Sequence, residues 1–136
     1  MFIGRNHEID VLERAYESDK FEFTVIYGRR RVGKTALINN FIQEKRAIYF
    51  MGVESNAKQN LENLSRSIYD YSSDMEMDST FASFQAAIEY VFRLAEKERI
   101  ILAIDEYPYV ARSSKSLAST LQMLIDKYKD RSKLML

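Results

Sequence analysis

The chain has 136 residues, 46% of them hydrophobic and 29% charged, a globular composition long enough for one domain with a sizeable core. Twenty basic residues balance twenty acidic ones, so no global field draws the chain to nucleic acid or to an anionic membrane. Cysteine is absent and His7 is the sole histidine, which excludes a disulfide framework, a thiolate nucleophile and a histidine-built zinc site.

No stretch approaches the roughly 18 apolar residues of a spanning helix. Met1-Phe2-Ile3-Gly4-Arg5 lacks a signal-peptide core, so no membrane association and a cytoplasmic location are expected. Asn6 is placed to cap a first helix to about Ser18, with Ile9, Leu12 and Tyr16 on one face. Phe23-Thr24-Val25-Ile26-Tyr27 is β-branched and aromatic and predicts a strand. It leads directly into Gly28-Arg29-Arg30-Arg31-Val32-Gly33-Lys34-Thr35, the G-x-x-x-x-G-K-T pattern of a phosphate-binding loop. Leu37, Ile38, Phe41 and Ile42 then repeat at helical spacing.

Ala47-Ile48-Tyr49-Phe50-Met51 predicts a second strand, punctuated by Gly52. A helix resumes at Ser55 or Asn56, with Leu61, Leu64, Ile68 and Tyr71 as its apolar stripe. Residues 72–79 are polar and acidic and read as a loop. A long helix is expected from about Thr80 to Lys97, burying Phe84, Ile88, Val91 and Ala95. The run Ile100-Ile101-Leu102-Ala103-Ile104-Asp105-Glu106 reads as a strand buried on both faces, and Pro108 helps keep it from continuing. A polar loop from Arg112 to Lys115 precedes a last helix near 116–131, with Leu117, Leu121, Leu124 and Tyr128 inward. Alternating strands and helices predict an α/β fold around a parallel sheet. With the phosphate-loop pattern it reads as a three-layer α/β/α P-loop NTPase domain of which residues 1–136 are the amino-terminal part, incomplete at the C-terminal side. The tyrosines, phenylalanines and methionines fall mostly on helix stripes and read as core packing.

The loop's residue types follow from its chemistry. Gly28 and Gly33 let the backbone curl so that successive N–H groups face one phosphate. Lys34 carries a positive charge to the β/γ oxygens and Thr35 a hydroxyl to Mg²⁺, at the positive end of a helix. The nucleotide-contacting set is Gly28, Arg29, Arg30, Arg31, Val32, Gly33, Lys34, Thr35 and Ala36. In a parallel sheet, ligands sit at the carboxyl ends of strands, so Asp105 and Glu106 point to the same edge as the loop. Asp105 can hold the Mg²⁺ hydration shell opposite Thr35, and Glu106 can orient the attacking water. Asp105 is followed by Glu106-Tyr107-Pro108, so the Asp-x-x-Gly of GTPases is absent.

These motifs resemble the archaeal-type AAA ATPases, a branch of the P-loop ATPases near the STAND and replication-initiator ATPases. Phe2-Ile3-Gly4-Arg5-Asn6-His7-Glu8 is similar to their amino-terminal box. Val25-Ile26-Tyr27 with the arginine-rich loop is similar to their Walker A segment, and Ile104-Asp105-Glu106-Tyr107-Pro108-Tyr109 to their Walker B motif. The resemblance implies Gly4 and Arg5 beside the adenine or ribose, Lys34 and Thr35 on phosphate and Mg²⁺, Asp105 supporting the metal, and Glu106 as the catalytic residue beside Lys34. A bland reading of Gly4 and Arg5 is a helix lead-in. Arg29, Arg30 and Arg31 are open between phosphate contacts, a partner's carboxylates, nucleic acid and plain solvation.

Family members are longer, so the chain reads as an amino-terminal fragment in which Lys133-Leu134-Met135-Leu136 begins a strand between the Asp-Glu strand and the phosphate-loop strand. Missing that strand, the fragment is expected to self-associate and to be a poor ATPase. The function read from the chain is binding of Mg²⁺-ATP and, in the complete protein, hydrolysis that drives a conformational or assembly change. The alternatives are a nucleotide-dependent signalling switch or scaffold with negligible turnover, and a nucleic-acid-associated module. ATP or ADP is the expected ligand, with a homo-oligomer and a protein or DNA partner left open.

Overall fold

The computed structural model describes residues 6–26, 33–72 and 80–136. Its elements are α1 (Asn6–Glu17), α2 (Lys34–Ile42), β1 (Ala47–Met51), α3 (Ala57–Tyr71), α4 (Phe84–Leu94), β2 (Ile100–Asp105), α5 (Tyr107–Ser113), α6 (Leu117–Tyr128) and β3 (Leu134–Met135). The strands form one parallel sheet in the order β1-β2-β3.

Alternation along the strands sorts side chains between two cores. Ile48 and Phe50 of β1, Ile100 and Leu102 of β2, and Leu134 of β3 pack with α3, α4 and α6. Ile101, Met135, Ala47 and Ala103 take the other face and pack with Leu12 of α1 and Leu37 and Phe41 of α2. The result is the expected three-layer arrangement, helices on both faces of a parallel sheet. Covered on both sides, β2 can carry the unbroken apolar run that its sequence shows. On the larger face Phe92 stacks between Phe21 and Tyr128, at 5.8 and 5.4 Å between ring centroids.

Local signals set the helix starts. Asn56 caps α3 by accepting the Gln59 N–H at 2.8 Å, and Ser83 caps α4 by accepting the Ala86 N–H at 3.1 Å. The second cap corrects the expected helix from Thr80 to Lys97: α4 begins at Phe84 and ends at Leu94. The last helix is likewise shorter than expected, ending at Tyr128.

The segment Phe23–Ile26 also departs from expectation, and Tyr27 lies outside the described residues. It is extended beside β3 rather than a regular strand. Glu22 N–H bonds Leu134 O at 3.0 Å, Leu136 N–H bonds Glu22 O at 2.8 Å and Thr24 N–H bonds Leu136 O at 2.8 Å. Those three bonds are too short a ladder to make a strand, and Phe23 and Val25 stay exposed. They do place β3 between β2 and the segment that leads to the G-x-x-x-x-G-K-T motif, the order expected from the sequence. Lys133–Leu136 thus find partners within their own chain. The expected loop 72–79 lies outside the described residues beyond Ser72.

One element was not expected at all. Residues 107–113, read as a strand stop and loop, form α5. Pro108 sits in its first turn, where its fixed φ suits a helix and no N–H is required.

Candidate functional site

The site is built where β2 stops and α2 starts. Asp105 is the last residue of β2 and lies opposite Met51 of β1. Alternation puts it on the face of Ile101 and Ala103, the face that α2 covers. It is 3% exposed, a buried carboxyl that needs hydrogen-bond partners. It has three. Oδ2 accepts the Thr35 hydroxyl at 2.6 Å and the Tyr49 hydroxyl at 2.7 Å, and Oδ1 accepts the Glu106 N–H at 2.9 Å.

Thr35 lies in the first turn of α2, and Gly33 sets that turn. Gly33 has φ 88° and ψ 14°, a left-handed conformation that glycine adopts without a Cβ penalty. Its carbonyl accepts the Leu37 N–H at 2.8 Å, closing the first helical bond. Lys34 then opens the helix. Gly33, Lys34, Thr35, Ala36, Asn39, Asp105 and Glu106 line a single cleft of about 670 Å³.

Glu106 has φ 54° and ψ 41°, left-handed for a residue that is not glycine. Such backbone costs on the order of 1–3 kcal/mol and persists only where its surroundings fix it. Here the Asp105 carboxylate holds its N–H, and its carbonyl accepts the Tyr109 N–H at 3.1 Å as α5 begins. Gly52 completes the support. Its N–H bonds Asp105 O at 2.8 Å, and a Cβ at this position would collide with Val110 Cγ2 and lie 2.7 Å from the Glu106 carbonyl oxygen. Glycine is required here so that α5 can pack against the end of β1.

Of the expected site residues, the structure brings together Gly33, Lys34, Thr35, Ala36, Asp105 and Glu106. Gly4, Arg5, Gly28, Arg29, Arg30, Arg31 and Val32 lie outside the described residues. Sequence reading missed Asn39, one turn beyond Thr35 on α2, and Tyr49. The available signal for Tyr49 was a hydroxyl-bearing residue inside an otherwise apolar strand beside β2. Burial first, then the hydrogen bond and charge of Asp105, push the Tyr49 phenol well above the ordinary tyrosine value. It therefore stays protonated and donates.

The arrangement suits a hard cation shared with a ligand. Thr35 and Asp105 offer a hydroxyl and a carboxylate oxygen. No group of three or more His, Cys, Asp or Glu side chains among the described residues could hold a metal alone. The donor set fits Mg²⁺, which is commonly held by one or two carboxylates with substrate phosphates and water completing its shell.

A parallel sheet between helices, with a glycine-started helix and a carboxylate-ended strand meeting at one edge, defines an α/β domain of the P-loop NTPase class. The chain belongs to the family described as the ATPase domain predominantly from Archaea, which matches residues 2–136. It is 33% identical over 126 residues to an uncharacterized protein of Methanocaldococcus jannaschii, covering 93% of this chain and 26% of that protein. It is also 46% identical over 46 residues to an uncharacterized ATP-binding protein of the same organism, covering 34% of this chain and 78% of the relative. The chain therefore spans about a quarter of the longer relative. Among the described residues, no helix is long and apolar enough to cross a membrane.

Proposed function

We propose that this chain binds Mg²⁺-ATP in the cleft between α2 and β2, and that the complete protein hydrolyses it. The observation that carries the reading is the 2.6 Å bond from the Thr35 hydroxyl to buried Asp105. It joins the end of the G-x-x-x-x-G-K-T motif to the end of the Asp-Glu strand, two parts separated by 70 positions. Membership of an ATPase family and the ATP-binding relative support the same reading.

In this scheme Thr35 gives its single hydrogen to Asp105 and keeps its oxygen lone pairs for the cation. Asp105, held by three donors, faces the hydration shell. Bound Mg²⁺ would neutralise charge on the phosphate oxygens. Lys34 would add its ammonium to the β/γ oxygens, with the first N–H groups of α2 behind it. Glu106, at the rim of the same cleft, would orient water and accept its proton. Catalysis is then positioning and electrostatics on the γ-phosphate.

Calorimetric titration of the chain with ATP, ADP and GTP, with and without Mg²⁺, tests the reading. Mg²⁺-dependent binding of ATP and ADP in preference to GTP is expected. A folded chain that binds no nucleotide, or binds it with no response to Mg²⁺, would overturn the assignment.

A further inference from the structure

We infer that Tyr49 is a positioning residue for Asp105, its hydroxyl fixing the carboxylate so that one oxygen faces Thr35 and the other faces the cleft. The inference rests on the Mg²⁺-nucleotide reading of the site and adds a residue from a strand that carries no phosphate-binding motif.

Tyr49 stands opposite Ala103 in the parallel register, two pairs before Met51 and Asp105. Both side chains share the α2 face, and a tyrosine is long enough to reach a diagonal neighbour. Its hydroxyl donates to Oδ2 at 2.7 Å, the oxygen that also takes the Thr35 hydroxyl.

The lone-pair count gives that contact a consequence. An ionised carboxylate offers about four acceptor sites, two on each oxygen. Thr35 and Tyr49 fill those of Oδ2, and the Glu106 N–H takes one of Oδ1. One site on Oδ1 remains, so Asp105 meets a hydrated cation through a single oxygen. The terminal torsion of an aspartate is soft. Without the Tyr49 hydroxyl, Thr35 alone holds Oδ2, and that same threonine must also face the cation. Tyr49 relieves Thr35 of sole charge of Oδ2, while the Glu106 N–H holds Oδ1. Apolar packing does not explain the hydroxyl, because phenylalanine would supply the same ring.

Calorimetry on the chain and three variants tests this: Tyr49→Phe, Asp105→Asn and the double substitution, each titrated with ATP in the presence and absence of Mg²⁺. Tyr49→Phe should lose on the order of five- to tenfold in Mg²⁺-dependent affinity, less than a whole hydrogen bond to a carboxylate is worth, because that bond is already present before the ligand binds. Its affinity for metal-free ATP should be unchanged, and its melting temperature should fall by only several degrees, so that binding is measured on a folded chain. In the Asp105→Asn background, Tyr49→Phe should cost nothing further, since the tyrosine acts through the carboxylate. An unchanged Mg²⁺ response, an equal loss with and without Mg²⁺, or a full second loss in the Asn background would each overturn the role. If the parent chain itself shows no Mg²⁺ response, the cleft reading fails and this inference fails with it.

Discussion

Glu106 carries two properties that substitution can separate, a strained backbone and a carboxylate at the cleft. Glu106→Gln keeps the size and the left-handed φ but cannot accept a proton. In the complete protein it should bind ATP like the parent and lose turnover by roughly a hundredfold or more, the scale of a general base. Glu106→Gly removes the carboxylate and also the strain, because glycine adopts φ 54° without penalty. An exchange for glycine inside a regular element usually destabilises. Here it should leave the chain as stable as the parent, or up to about 1 kcal/mol more stable by urea unfolding. A glycine variant less stable by 2 kcal/mol would show that the strain is small beside what the side chain contributes. Wild-type turnover in the glutamine variant would remove Glu106 from the chemistry.

Between elements, Gly52 is a close contact near the site. Gly52→Ala forces its Cβ against Val110 and the Glu106 carbonyl, so α5 must move away from β1. Overpacking of this kind costs about 1–3 kcal/mol. The displacement begins at Glu106, so nucleotide-dependent properties should suffer beyond the stability loss, read as a lower urea midpoint together with weaker Mg²⁺-ATP binding. Loss of stability alone would mean that α5 shifts without carrying Glu106 along. A second junction responds to pH. Tyr71, the last residue of α3, donates to Glu98 at 2.8 Å just before β2. Burial first, then the bond and charge of Glu98, push its phenol up to about 12 from 10. The stability from this shift is fully present below about pH 10 and is lost as pH rises from 10 towards 12, because the unfolded phenol ionises first. Urea midpoints should therefore fall above pH 10 in the parent and fall less in Tyr71→Phe. Parallel decline in both would assign the alkaline loss elsewhere. At this scale the sequence was legible where a pattern had one reading. β1 lies over the Ala47–Met51 run read as a strand, α3 lies where the apolar stripe after Ser55 or Asn56 placed it, and β2 runs from Ile100 as expected, ending one residue before Glu106. α5 was not legible, because Pro108 both ends strands and begins helices, and only packing over Gly52 decides which. In the site, Thr35 and Asp105 could be paired from spacing and strand polarity. Tyr49 could not, since a tyrosine in an apolar run reads as core until the register shows which face it shares.

For the whole molecule, Arg99 is the side chain that ties distant parts together. It is 9% exposed and stands immediately before β2. Nη2 donates to Ala15 O at 2.7 Å and Nε to Tyr16 O at 3.1 Å, while Nη1 donates to Lys20 O and, at 2.7 Å, to Lys133 O. Two of these carbonyls belong to the last turn of α1, where helices leave acceptors unsatisfied and a cation favours the dipole. The other two lie before Glu22 and at the start of β3. One guanidinium thus holds α1, the chain entering the segment before the G-x-x-x-x-G-K-T motif, and the strand that separates this segment from β2. Burial lowers its pKa while the nearby Glu22 and Asp19 charges oppose the shift, and an arginine remains charged throughout. Arg99→Met keeps most of the apolar stem and removes every donor, leaving four carbonyls to find other partners. The expected cost is about 3 kcal/mol or more, a large share of the roughly 5–15 kcal/mol that stabilises a domain. Arg99→Lys should recover little, because a single ammonium cannot span four acceptors spread over a planar fork. Urea unfolding measures the total, and hydrogen exchange locates it. Amides of Glu22, Thr24 and Leu136, which form the short ladder beside β3, should lose protection first, ahead of those between β1 and β2. Uniform loss across the sheet would show that Arg99 contributes to global stability without specially holding the segment that leads to the site. A methionine variant within 1 kcal/mol of the parent would show that the four carbonyls are satisfied as well by water.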